Sequence, residues 1–173
     1  EFNVRYSDKS SVTGEMATVA VPFGVDYTLP ACTFQREGYK FAGWIESPYG
    51  TTVKYADQAT IHRDFEDDWD DGSEDNEIYK LYAVWTKDAF GIAFDAVAGA
   101  LPADGTIRTA DALTLPTSGD GYTITYTSSA PAVLAADGTV TLPASGVQTV
   151  TLTATVTDTD GTVKTRDYTL TVY

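Results

Sequence analysis

The segment Val150-Thr151-Leu152-Thr153-Ala154-Thr155-Val156-Thr157 alternates strictly between an apolar residue and threonine. Successive side chains of a β-strand point to opposite faces, so this period of two predicts a strand with one buried face. Threonine on the other face is β-branched and favours the extended backbone. We therefore expect a β domain built around this strand.

The same alternation occurs in three other segments of the second half: Tyr122 to Thr127, Thr139 to Leu142 and Tyr168 to Tyr173. Turn sequences rich in glycine separate them: Ser118-Gly119-Asp120-Gly121, Asp137-Gly138, Ser145-Gly146 and Asp160-Gly161. Several short strands at such spacing predict an antiparallel β-sandwich.

A short helix is predicted before these strands, where apolar residues recur at helical spacing: Phe90, Phe94, Val97 and Leu101. Asp88 is placed to cap its start, and Pro102 follows its end. We expect this helix to cover the sandwich. The alternative is an irregular linker rich in alanine.

Composition changes near residue 88, which indicates two domains. All three tryptophans lie in the first part, whereas the second part contains no Glu, Asn or Trp and is rich in Thr, Ala, Val and Gly. A chain of 173 residues can hold two small β domains. We place the first domain at residues 1–87 and the second at residues 88–173.

The second domain resembles the atrophied bacterial immunoglobulin-like domain in three segments: Asp111 to Thr117, Thr123 to Leu134 and Asp137 to Thr141. Tyr126 stands where that family usually has Trp. The resemblance implies an antiparallel immunoglobulin-like β-sandwich. It also implies spacer and accessory modules of secreted bacterial glycoside hydrolases and adhesins, without catalytic residues to carry over.

The first domain contains the aromatic motifs Gly38-Tyr39-Lys40-Phe41-Ala42-Gly43-Trp44 and Leu81-Tyr82-Ala83-Val84-Trp85. Together with an opening strand at Phe2 to Tyr6, they resemble the Listeria–Bacteroides repeat, also known as the internalin B-repeat. The resemblance implies a small β-grasp-like module of bacterial surface proteins. Apolar residues alternate with Trp44 and Trp85, so we assign both tryptophans to the core.

An acidic run from Asp64 to Glu77 is inserted before the last of these motifs. Calcium prefers such oxygen ligands, and the candidate metal ligands are Asp67, Asp68, Asp70 and Asp71. An EF-hand is excluded, because Trp69 and Ile78 would occupy positions that need ligands. The alternatives are another type of calcium loop and a solvated acidic loop, and we favour the latter.

Trp69 is the candidate ligand-binding residue of this run, as an exposed platform for a sugar ring. Packing against the core is the alternative use, and the commoner one for tryptophan. Other rings that we expect to be exposed for ligand contact are tyrosines of the first domain: Tyr39, Tyr49, Tyr55 and Tyr79.

Composition argues against several classes of function. The chain has 11 Lys and Arg against 25 Asp and Glu, a net charge of −14. We expect no nucleic-acid partner, because phosphate binding needs Lys or Arg. We also expect no membrane insertion, because no run approaches the roughly 20 apolar residues that cross a bilayer. Cys32 and His62 are single, and a structural zinc site needs four N or S ligands.

We do not expect an enzyme. A Ser-His-Asp system would depend on His62, and no Gly-x-Ser-x-Gly turn supplies a nucleophile. Phosphate-binding and dinucleotide-binding fingerprints are also absent from the sequence. We expect no catalytic residues and no cofactor, with calcium as the one ion to consider.

The expected function is that of non-catalytic spacer and adhesion-type modules in a large bacterial protein. The protein would be extracellular, on the cell surface or secreted, and from a Gram-positive bacterium. We expect a monomer whose partners are neighbouring domains of the same polypeptide. The alternative is a carbohydrate-binding or host-protein-binding module, accessory to a secreted glycoside hydrolase.

Overall fold

The structure is a computed structural model that describes residues 1–21, 24–62 and 79–173. The chain forms two compact units, Glu1–Thr86 and Lys87–Tyr173. Each unit has hydrophobic clusters of its own. The described residues form many short strands and one α-helix, which confirms the predicted mainly-β fold class.

The first unit is built from short strands: β1 (Phe2–Val4), β2 (Val12–Thr13), β3 (Tyr27–Thr28), β4 (Gln35–Arg36), β5 (Tyr39–Ile45), β6 (Thr60–Ile61) and β7 (Leu81–Lys87). β7 lies between β1 and β5 in a three-stranded sheet and pairs with β1 in parallel. β2 pairs with β4, and β3 with β6, as antiparallel ribbons. The described residues of this unit include no helix, and the β-grasp-like arrangement stays a prediction.

The two aromatic motifs form the neighbouring strands β5 and β7 of this sheet. Trp44 is fully buried, and its ring centroid lies 5.1 Å from that of Phe2 and 4.8 Å from that of Phe41. Trp85 is 9% exposed and belongs to the same cluster. The predicted core role of both tryptophans is confirmed. Gly43 precedes Trp44 at a φ of 143°, where a Cβ would lie 2.5 Å from the carbonyl oxygen of Tyr55.

The second unit contains the remaining strands: β8 (Thr106–Ile107), β9 (Ser118–Gly119), β10 (Tyr122–Ser128), β11 (Gln148–Asp158) and β12 (Val163–Val172). They form one sheet in the order β8-β12-β11-β10-β9. The pairs are antiparallel except for β8, which runs parallel to β12 at the edge. The alternating stretch from Val150 to Thr157 is the interior of β11.

One face of this sheet is buried along β11, as the alternation predicted. Val150, Leu152, Ala154 and Val156 are fully buried, and the threonines between them are half-buried. Residues of the segment 130–142 cover one part of the face, around Leu134 and Leu152. The opposing layer therefore consists of this segment and a helix, rather than a second regular sheet among the described residues.

The predicted strand from Thr139 to Leu142 is wrong. Val140 makes only an isolated bridge with Leu134. The chain turns tightly at Gly138, whose φ is 90° and whose added Cβ would lie 2.1 Å from the carbonyl oxygen of Leu113. Val140 is buried, so the alternation here reflects packing against the sheet. Its backbone pairing is confined to the bridge and to the hydrogen bonds of Thr139 and Thr141 with residues 133–135, too short to form a strand.

The predicted helix is confirmed as α1 (Ala89–Ala100). The Asp88 carboxylate caps it by accepting a hydrogen bond from the Gly91 N–H at 2.7 Å. Phe90, Phe94 and Val97 are buried against β10 and β11. No helix within the described ranges is long and apolar enough to span a membrane.

Tyr126 packs between the two clusters of the second unit, and its hydroxyl donates to the carbonyl oxygen of Pro116 at 2.6 Å. Burial, and in smaller measure the neighbouring Tyr168 and Tyr122, together raise the pKa of Tyr126 to about 12. Since the unfolded phenol has a pKa of 10.0, the unfolded state ionises first as the pH rises.

We therefore expect the second unit to lose stability as the pH rises from about 10 to about 12. Tyr126→Phe should make the free energy of unfolding fall less steeply over this pH range. Near neutral pH it should lower that free energy by about 1 kcal/mol, because the hydrogen bond to Pro116 is lost. Urea unfolding at several pH values, followed by tyrosine circular dichroism, measures both effects. Tyr173→Phe is the exposed control, and an unchanged alkaline slope in Tyr126→Phe would contradict the prediction.

Candidate functional site

The sequence-predicted site residues of the acidic run lie outside the described residues. These are Asp67, Asp68, Asp70 and Asp71 as calcium ligands and Trp69 as a ring platform. Both interpretations stay predictions. Within residues 1–21, 24–62 and 79–173, no group of three or more His, Cys, Asp or Glu is placed to hold a metal ion.

Two groups with catalytic potential have ordinary surroundings. His62 Nδ1 lies 2.6 Å from Asp26 Oδ1, but the side chains are 46% and 75% exposed, so water screens the pair. Burial raises the pKa of the Cys32 thiol to about 11, which keeps it protonated near neutral pH. A protonated thiol is a poor nucleophile, so Cys32 is not activated for covalent chemistry.

The predicted exposure of four tyrosines is right for one of them. Tyr49 is 82% exposed, whereas the other three are half-buried: Tyr39, Tyr55 and Tyr79. The Arg36 guanidinium lies over the Tyr39 ring at 3.8 Å from its centroid. The hydroxyls of Tyr55 and Tyr79 lie 3.1 Å apart. These three rings therefore serve internal contacts.

A hydrogen-bond network joins Tyr55 and Tyr79 to Glu46. One oxygen of Glu46 accepts from Lys54 Nζ at 2.5 Å and from the Tyr55 hydroxyl at 2.8 Å. Burial, and then the hydrogen bond to Glu46, raises the pKa of Tyr55. The hydrogen bond to Glu46 also raises the pKa of Lys54. Lys54 and Tyr55 therefore stay protonated near neutral pH, and these hydrogen bonds have a structural role.

Asp8 is a buried acidic residue of the first unit, at 3% exposure. Its carboxylate lies 2.8 Å from Arg5 Nη2 and 3.1 Å from Arg36 Nη1. Arg5 Nη1 also donates to the carbonyl oxygen of Gly50 at 2.9 Å. We call Arg5, Asp8 and Arg36 the Asp8 cluster. It ties the turn after β1 to β4 and to the loop after β5.

Two exposed tyrosines lie beside this cluster on adjoining turns. Tyr6 is 64% exposed and Tyr49 is 82% exposed, with ring centroids 6.5 Å apart and planes inclined by 33°. Lys9 Nζ lies 4.5 Å from the Tyr6 ring centroid. We call Tyr6, Tyr49 and Lys9 the tyrosine platform. Tyr6 follows Arg5 in sequence and Tyr49 precedes Gly50, so the Arg5–Gly50 hydrogen bond holds the two turns together.

Sequence reasoning identified Tyr49 but missed Tyr6, Lys9 and the Asp8 cluster. The predicted opening strand ends at Tyr6, whereas β1 ends at Val4 and leaves Tyr6 in the following turn. The polar sequence Ser7-Asp8-Lys9-Ser10-Ser11 indicates a turn, and a tyrosine at the start of such a turn is a signal of exposure. Nothing local in the sequence indicates that Asp8 is buried between two arginines.

The comparisons with known proteins concern the second unit. Residues 95–173 match the family model of the atrophied bacterial Ig domain. The match begins inside α1 and includes β8 to β12. The match supports the predicted immunoglobulin-like resemblance of that part of the chain and does not extend to the first unit. No curated protein matches the chain in sequence.

Proposed function

From the match of residues 95–173 to the atrophied bacterial Ig domain, we propose that the chain supplies non-catalytic structural modules of a large bacterial surface or secreted protein. The modules space or orient neighbouring domains of the same polypeptide, such as an adhesin head or a carbohydrate-active enzyme. The family match is the observation that carries this proposal. Separate hydrophobic clusters in the two units support it, because a spacer needs modules that hold their own shape.

We propose that the first unit is an internalin B-repeat-like module. Both of its aromatic motifs are strands of one sheet, and their tryptophans share one core. Modules of this type imply an extracellular location on a Gram-positive bacterium. We also propose that the chain is monomeric and that its partners are the neighbouring domains of the same polypeptide.

Module replacement in the intact parent protein tests the spacer function. Exchanging residues 87–173 for an unrelated immunoglobulin-like module of equal length should preserve adhesion or enzyme activity of the neighbouring domains. Deleting the same residues should reduce it, because the spacing is lost. If the exchanged protein is as impaired as the deletion, specific side chains matter and the spacer proposal fails.

A second candidate function is binding of carbohydrate or a host protein, accessory to a secreted glycoside hydrolase. The observation that favours it is the exposure of Tyr6 and Tyr49 side by side. Aromatic residues are enriched at binding surfaces, because a large rigid ring gives contact area at a small cost in conformational entropy. Spacing and binding are compatible within one chain.

A further inference from the structure

We propose that the tyrosine platform of the first unit binds an acidic saccharide, one that carries a carboxylate on a pyranose ring. The inference rests on the second candidate function and names its site and ligand class. Tyr6 and Tyr49 stack on the apolar C–H faces of the sugar, and Lys9 pairs with its carboxylate. It does not depend on the spacer role.

The first observation that supports the proposal is the exposure of the Tyr6 and Tyr49 rings. Tyrosine normally buries much of its large ring, yet Tyr6 and Tyr49 leave 64% and 82% of their surfaces in contact with water. Their centroids are 6.5 Å apart, close to the span of one monosaccharide unit. Two neighbouring rings therefore offer a continuous apolar strip to a ligand at least two sugars long.

The second observation is that hydrogen bonds hold the two turns beneath the rings in place. The Arg5–Gly50 hydrogen bond of 2.9 Å joins the two turns that bear the rings, and the buried Asp8 holds Arg5 in place. The backbone N–H of Tyr49 also donates to Ser47 Oγ at 3.3 Å. A platform positioned before binding loses little conformational freedom when the ligand arrives, which favours affinity.

The positive charge of Lys9 indicates that the platform favours an acidic ligand. Lys9 is exposed, its Nζ lies 4.5 Å from the Tyr6 ring centroid, and it forms no ion pair with a carboxylate of the part of the chain that the structure describes. A ligand carboxylate placed beside Tyr6 would gain an ion pair there. The net charge of −14 disfavours densely charged polyanions such as nucleic acid, which need many Lys or Arg contacts. A short saccharide with only one to three carboxylates carries far less charge and is less strongly repelled.

Titration of the full chain with tri-galacturonate, followed by ¹H–¹⁵N spectra, tests the proposal. Its neutral comparison is the methyl-esterified trisaccharide, and a second pair of probes is sialyllactose with lactose. At least one acidic probe should bind and shift amide signals at residues 5–11 and 47–51. Its neutral counterpart should bind several-fold more weakly, with the difference shrinking as salt is added.

Three variants locate the site. Tyr6→Ala and Tyr49→Ala should each weaken binding about tenfold or more, which corresponds to about 1.4 kcal/mol. Lys9→Gln should remove the preference for the acidic probe and leave neutral binding unchanged. Tyr173→Ala is the matched control, because Tyr173 is also an exposed ring beside a cation, Arg108 at 5.0 Å, but lies in the second unit.

The possible outcomes distinguish a failure of the tyrosine platform from a failure of the carbohydrate-binding function on which it rests. Saccharide binding that survives Tyr6→Ala and Tyr49→Ala overturns the platform but leaves a binding module elsewhere on the chain. Equal binding of acidic and neutral probes overturns the role of Lys9 and the ligand class. No binding of any saccharide, in a chain with native circular dichroism, overturns both the platform and a carbohydrate-binding function.

Discussion

Asp8→Ala is expected to lower the free energy of unfolding of the first unit by about 3–5 kcal/mol. The carboxylate is 5% exposed and neutralises Arg5 and Arg36, whose side chains are 11% and 15% exposed. Removing it leaves two nearly buried guanidinium groups facing each other without a counter-charge. Since small domains are stabilised by about 5–15 kcal/mol, the loss is a large part of the total.

Tryptophan fluorescence during urea unfolding measures this effect selectively, because all three tryptophans belong to the first unit. Asp26→Ala is the control: its carboxylate is also paired, with His62, but is 75% exposed. That change should cost less than about 1 kcal/mol. Similar losses in the two variants would show that the Asp8 cluster does not stabilise the unit.

Leu152→Ala should lower the free energy of unfolding of the second unit by about 2–5 kcal/mol. Leu152 is fully buried on β11, and its cluster includes Leu134 and Val140 from the covering segment. Truncation removes apolar contacts and leaves a cavity between the sheet and that segment. The covering segment makes few strand hydrogen bonds, so it depends on these contacts for its position.

Tyrosine circular dichroism or calorimetry reports this loss, while the tryptophan fluorescence transition should stay at its wild-type position. Thr155→Ala is the matched control on the same strand, because the Thr155 side chain is half-buried on the opposite face. It should cost less than about 1 kcal/mol, mainly through reduced β propensity. Equal effects at Leu152 and Thr155 would contradict the assignment of the buried face.

Much of the second unit was predictable because its signals are local. The alternation from Val150 to Thr157 predicted β11 and its buried face, and the spacing from Phe90 to Leu101 predicted α1. The error at Thr139 to Leu142 has a physical cause. Burial of alternate residues requires only an extended chain on an apolar surface, whereas a strand also requires backbone pairing over several consecutive residues, and here the pairing is limited to residues 133–135.

The candidate site was less predictable, because exposure of a ring depends on distant contacts. Tyr39 begins strand β5 and Tyr49 lies between Pro48 and Gly50 in the turn after it. The Arg36 guanidinium covers the Tyr39 ring, whereas no cation covers the Tyr49 ring among the described residues. Tyr6 and Tyr49 are far apart in the chain and become neighbours through the turns that Arg5 joins. No sequence pattern of short range encodes that proximity.

Three features could be inferred from local sequence patterns: the mainly-β fold class, the helix before the second sheet and the core role of Trp44 and Trp85. Each of these follows from side-chain periodicity and hydrophobicity, which act over a few neighbouring residues. Only the tertiary structure decided that Asp8 is buried between two arginines and that Tyr6, Tyr49 and Lys9 form one surface. These contacts join separate turns, so they exist only once the chain has folded.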